Sequence, residues 1–193
     1  MKHTPFALTT LRLLLGPAAI LCAISGVDRW VYLPILVVGT LSDIFDGIIA
    51  RRLGVATPAL RRYDSVTDII YYVFVLAALC VVRKPAIVQS WLPIALLVTS
   101  EAVVIAVSFT RFRKYPAAHS YLAKFYGLCM LAALVLFFVF DASAWCLIVL
   151  AVVALVANGE IVAIHLLSKA PPVDVRSIFS LLAQRSSRNA ASV

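Results

Sequence analysis

Apolar residues run through this chain in six long blocks separated by short polar stretches. The blocks extend from Leu8 to Ser25, Trp30 to Arg51, Asp64 to Val82, Trp91 to Thr110, Tyr121 to Phe140 and Ala144 to Leu167. Each holds about the 20 residues that a helix needs to cross ~30 Å of hydrocarbon. None shows the alternation over about ten residues that marks a barrel strand, so helices, which satisfy their own backbone amides, are the spanning form. The pattern predicts an all-α integral membrane protein with six transmembrane helices. The first block has no small-residue cleavage pattern and is read as a retained helix rather than a signal peptide. No internal repeat interrupts the series.

Composition removes the soluble alternative. Of 193 residues 63% are hydrophobic and 13% charged, with a mean hydropathy of +1.02, more apolar surface than one soluble core of this size can bury. Basic residues then set the orientation. With the N-terminus in the cytoplasm, only Arg29, Arg83 and Lys84 of the 17 lysines and arginines fall on the far side, so both termini are expected to be cytoplasmic. The net charge of +8 is accounted for by this topology and by anionic headgroups, and no nucleic acid partner is needed. Residues 1–169 read as one membrane domain and 170–193 as a short, partly disordered cytoplasmic tail, opened by Pro171-Pro172. Within the tail, Val175 to Leu182 has room for one brief helix at the membrane surface. Cys22, Cys80, Cys129 and Cys146 are scattered without a C-x-x-C pair, so neither a disulfide nor a zinc site is expected.

Four acids break the apolar pattern. Asp43, Asp46, Asp64 and Asp68 lie in or beside the second and third blocks, where an unpaired carboxylate costs several kcal/mol, and such residues mark functional sites by default. At 100° per residue Asp43, Asp46, Gly47, Ala50 and Arg51 fall at about 0°, 300°, 40°, 340° and 80°, one face of the second helix. Asp64 and Asp68 form an i, i+4 pair at the start of the third helix, and a short turn with Pro58 makes the two helices antiparallel neighbours. Four hard oxygen ligands without thiolate or imidazole suit Mg²⁺ or Mn²⁺ and are enough for two ions. Paired ions about 4 Å apart suit phosphoryl chemistry.

The same spacing resembles the signature of the CDP-alcohol phosphotransferases, D-x-x-D-G-x-x-A-R-x8-G-x-x-x-D-x-x-x-D. Asp43, Asp46, Gly47, Ala50, Arg51, Asp64 and Asp68 match seven of its eight fixed positions; Leu60 stands where the family has its second glycine. Thr10-Leu11-Arg12-Leu13 followed by Pro17 is similar to the family's opening helix with its threonine and arginine, and the resemblance covers residues 5 to 168. It implies that Asp43, Asp46 and Asp64 coordinate divalent cations. Asp68 would add a ligand to the second ion and serve as general base, and Gly47, Ala50 and Arg51 would receive the CDP moiety. A leucine at position 60 fills space that the family's glycine leaves for the nucleotide.

Other polar residues carry weaker signals. Arg111, Arg113, Lys114 and Lys124 can either bind a phosphorylated acceptor or simply anchor the membrane's cytoplasmic face. His119 is a candidate for the acceptor pocket. Glu101 and Glu160, inside the fourth and sixth blocks, are expected to face the bundle and find partners such as Arg12. Lys124 keeps the lysine alone of a G-K-x-K-T segment found in some phosphatidyltransferases of the family.

These readings combine into an enzyme that moves a phosphatidyl group from CDP-diacylglycerol to a small alcohol and releases CMP in phospholipid biosynthesis. It would act at the cytoplasmic face of a membrane, a bacterial inner membrane in the first place, as the homodimer common in the family. Three alternatives stay open. They are a soluble CDP-alcohol donor with a lipid acceptor, a catalytically impaired scaffold favoured by Leu60, and a transporter, whose acids would be spread along a path across the bilayer.

Overall fold

The computed structural model describes residues 4–55, 57–114, 120–168, 170–172, 175 and 177–182. Every apolar block is a helix. In chain order they are α1 (Thr4–Ile24), α2 (Tyr32–Arg52), α3 (Pro58–Val82), α4 (Lys84–Gln89), α5 (Trp91–Phe112), α6 (Tyr121–Phe138) and α7 (Trp145–Leu167), with a 3-10 turn at Arg29–Val31 leading into α2. Among the described residues there is no strand, and six helices, all but the short α4, are long and apolar enough to cross a membrane. The protein is an all-helical integral membrane protein.

Helix ends follow capping chemistry rather than the limits of the apolar blocks. The N-cap of α3 is Thr57, whose hydroxyl accepts the Leu60 amide at 3.2 Å, with a proline in the first turn, where its missing N–H costs nothing. The helix therefore starts at Pro58 and carries Asp64 and Asp68 on later turns, not at its beginning as the hydropathy pattern suggests. At the end of α2 the Val55 amide donates to Ala50 O at 3.0 Å and the Gly54 amide to Arg51 O at 3.3 Å. Gly54 has φ +65°. This is a Schellman stop, for which glycine has no steric cost.

The chain divides into two compact units. The first comprises residues 1–89 and 134–143, the second residues 90–133 and 144–193. In the first unit α1 packs closely along both α2 and α3. The sequence suggests direct antiparallel pairing of α2 with α3; instead the close backbone packing is that of α1 with each of them. Its inward face is Pro5, Thr9, Arg12, Gly16, Ala19 and Ala23, all buried, and the small residues Gly16, Ala19 and Ala23 along it admit neighbouring backbones. Tyr71 reaches from α3 to donate to Ile35 O of α2 at 3.2 Å, and its ring lies over Gly39.

Away from the aspartates, the end of the same unit is tied by charge. Asp141 pairs with both Arg29 and Arg83. Arg83 also donates to Ala142 O at 3.4 Å and lies 4.9 Å over the Phe137 ring. Two of the three basic residues that the loop count leaves on the minority side thereby share one acidic partner. Tyr32 and Phe138 stack nearby at 4.6 Å.

In the second unit α5 packs on α7. Asn158 donates to Ser100 Oγ at 3.0 Å, a buried polar contact between the two helices. Tyr126, Ala133, Leu150, Ala154 and Ala157 form one core cluster, and Val104, Ile161 and Ile164 a second. Within the tail, residues 178–182 are helical. Val175 and Ile178 pack on the second cluster, and the Ile178 amide donates to Glu160 Oε1 at 3.2 Å. The partner of Glu160 is thus the tail and not Arg12.

A Cβ added at Gly39 would lie 2.6 Å from Tyr71 Cζ, against a side chain that is itself buried. Gly39→Ala should therefore lower stability by about 1–3 kcal/mol. Thermal unfolding in detergent measures it, and a wild-type midpoint would show that Tyr71 relaxes freely.

Candidate functional site

The four aspartates converge on one side chain, Arg12. Its Nη1 pairs with Asp43 Oδ1 at 2.6 Å and with Asp68 Oδ1. Its Nη2 donates to Asp46 Oδ2 at 2.9 Å and to Asp64 Oδ1 at 2.5 Å. Each terminal nitrogen thus joins one aspartate of α2 to one of α3, from a helix packed on both. The guanidinium is 1% exposed. Burial of this kind demands compensation, and the acids supply it.

The carboxylates differ in their surroundings. Asp43 is 48% exposed and Asp64 and Asp68 each 33%, whereas Asp46 is 4% exposed. Ligand oxygens of Asp43, Asp64 and Asp68 all lie within 4.8 Å of one another. Three carboxylate oxygens at that separation make a hard, anionic donor set of the kind that divalent cations take. Asp46 stands apart from this triad. Its Oδ2 is held from α1 by Arg12 and by Thr9 Oγ1, which lies 3.0 Å from it and 3.0 Å from Pro5 O. The spacing of the four acids is legible in the sequence, but Thr9 and Arg12 as their partners are not. The signal was an arginine and a threonine one helical turn apart on the buried face of an otherwise apolar helix.

Gly47 and Arg51 are neighbours on α2, as their spacing predicts. A Cβ on Gly47 would meet Arg51 Nη1 at 3.3 Å, so the exposed arginine lies over the glycine. Ala50 is buried, 6% exposed. Leu60, half-buried, sits in the first turn of α3 in ordinary helical backbone.

The sequence model of the CDP-alcohol phosphatidyltransferases matches residues 2–157. The chain belongs to this family. No curated protein and no solved structure matches it. The CDP-alcohol phosphatidyltransferases transfer a phosphate-alcohol group from a CDP-alcohol in lipid biosynthesis, typically with a divalent metal. The acidic cluster fits such an ion by its all-oxygen donors and by the cationic group that it already draws in.

The basic residues proposed for the acceptor are placed in the second unit. Arg111 is exposed and donates to Ser168 O at 3.2 Å; Arg113 closes α5 at φ 54°; Lys114 accepts Ser108 Oγ at its carbonyl, 2.7 Å away. Lys124 is exposed in the first turn of α6, 5.8 Å over the Tyr121 ring. His119 lies outside the described residues. Another histidine, His165, is buried at the end of α7, with Nδ1 2.8 Å from Ile161 O and its ring 6.0 Å from that of Phe112. A groove of about 300 Å³ beside Ser100 and Asn158 is lined also by Thr99, Val103, Leu155, Gly159 and Val162. None of these lining residues is ionisable.

Removing the hydroxyl beside Asp46 isolates its contribution. Thr9→Val should cost about 1–3 kcal/mol, because a buried carboxylate oxygen loses a donor, while Thr10→Val, at a less buried position, should cost less. Thermal unfolding of both variants in detergent tests this, and equal midpoints would show that Thr9 does not support Asp46.

Proposed function

We propose that the protein transfers the phosphatidyl group of CDP-diacylglycerol to a small alcohol and releases CMP. The convergence of the four aspartates on one cation-binding point, at the family's spacing, carries this reading. Divalent cations, Mg²⁺ or Mn²⁺, would neutralise the pyrophosphate and the departing CMP. Asp43, Asp64 and Asp68 supply the clustered oxygens that hold them, and Asp46, fixed by Thr9, completes the set. Gly47, which has no Cβ, and Ala50 would receive the nucleotide, and Arg51, which lies over Gly47, offers a forked donor to a phosphate.

The acceptor oxygen attacks the phosphorus that bears the diacylglycerol. The bond from that phosphorus to the bridging oxygen breaks, CMP leaves with that oxygen, and Asp68 takes the proton of the acceptor hydroxyl. Arg111, Arg113, Lys114, His119 and Lys124 are proposed for a phosphorylated acceptor. In this reading residues 1–169 act as one membrane domain with 170–193 appended as a cytoplasmic tail. The site opens at the cytoplasmic face of a bacterial inner membrane, as the distribution of basic residues supports, and the enzyme is a homodimer.

Purified protein with labelled CDP-diacylglycerol, Mn²⁺ and a panel of alcohols tests the reaction directly. Metal-dependent CMP release with one of the alcohols is expected; none with any of them, nor with a soluble CDP-alcohol and a lipid acceptor, would leave the scaffold reading. Asp43→Asn and Asp64→Asn should abolish turnover while the protein still inserts, and retained activity would show the ligands to be misassigned.

Leu60→Gly separates the pocket from the metal centre. It removes side-chain volume beside the nucleotide at a cost of about 1 kcal/mol to α3. Activity equal to or above wild type in the same assay is expected, and a severe loss would mean that Leu60 shapes a different pocket.

A further inference from the structure

Arg12 meets four carboxylates with a single positive charge. If all four acids are ionised the cluster keeps three uncompensated negative charges, whereas two divalent ions would balance the carboxylates without the arginine. The pairing is also imperfect in direction. The contacts of Nη2 are hydrogen bonds, but Nη1, between Asp43 and Asp68, reaches its partners as an ion pair without hydrogen-bond alignment. Nε is buried with no acceptor among the described residues. A guanidinium has donors in a fixed planar fork, so carboxylates that lie off its N–H directions, as those at Nη1 do, are not hydrogen-bonded, while a metal ion accepts oxygens from many directions.

We propose that Arg12 is a tethered counter-ion that holds the four carboxylates together and gives them up when divalent cations bind. The inference rests on the metal-site reading above and assigns Arg12 a positioning role opposed to the ions. The sign follows from linkage. Contacts that Arg12 makes with the cluster and loses on metal binding stabilise only the form without metal, so they weaken metal affinity by the same amount. Removing them should destabilise the protein without metal and tighten its hold on the ions. Removing an arginine that merely braced the helices would leave metal affinity unchanged, and removing one that helped to assemble the metal site would weaken it.

The test is Mn²⁺ binding to the purified full chain in detergent, followed by the spin-resonance signal of free Mn²⁺, with thermal midpoints taken with and without the ion. Arg12→Met should lower the midpoint without metal, bind Mn²⁺ about fivefold or more tightly than wild type, and gain more in midpoint from Mn²⁺. Arg12→Lys keeps the charge on one nitrogen and should fall between the two. Affinity in Arg12→Met equal to or weaker than that of a wild type that binds Mn²⁺ overturns the counter-ion role and leaves the metal site standing. No Mn²⁺ binding by the wild type overturns both. Where Arg12→Met fails to insert, Arg12→Lys decides on the same measure, and affinity no tighter than wild type refutes the proposal.

Discussion

Four carboxylates brought together from α2 and α3 repel one another, and a cation among them offsets that repulsion. Two unit charges 4 Å apart interact by about 4 kcal/mol at an effective dielectric of 20, and three of these carboxylates place oxygens within 4.8 Å of one another. Arg12 answers that repulsion from α1. For its guanidinium to reach acids on both α2 and α3, α1 has to lie close to each, and the small residues Gly16, Ala19 and Ala23 further along the same face allow it. Charge at one end of the helix and close packing along the rest are parts of one arrangement.

Such an arrangement is a poor way to gain stability. Desolvating several charges costs more than an apolar cluster of equal volume, and replacing buried ion groups by hydrophobic residues is often neutral or favourable. The acids and Arg12 are therefore better explained by what the cluster binds than by what it holds up. The graded exposure agrees. Asp46 is sealed against Thr9 and Arg12, while Asp43, Asp64 and Asp68 keep a third to a half of their side-chain surface open, and it is these three that are grouped to accept an ion.

Features with a short period were legible in the sequence. Span number depends on runs of about 20 residues, and the shared face of Asp43, Asp46, Gly47 and Arg51 depends on the 3.6-residue turn. Partners that come from other helices were not. Arg12 reads from sequence as a general partner for intramembrane acids, and only tertiary packing chooses the four aspartates over Glu101 and Glu160. Glu160 instead receives an amide from Ile178, eighteen residues further on, through a tail whose return to α7 no periodicity announces. The start of α3 was missed for a different reason. Hydropathy marks where the chain becomes apolar, whereas Thr57 and Pro58 mark where it becomes helical, and the two differ here by more than a turn.

Leu60 shows how these levels interact. Glycine in a signature can be required for backbone conformation or for space, and the two have different consequences when it is absent. Leu60 lies in the first turn of α3, its amide bonded to the Thr57 hydroxyl at 3.2 Å, and the positive-φ glycine of this connection is Gly54. The path of the chain therefore makes no demand for glycine at position 60. What the leucine changes is side-chain volume one turn before Asp64, and it leaves the positions of the carboxylates to the helices and to Arg12. A departure from the family pattern of this kind bears on the volume at position 60 and not on whether the acidic cluster can form.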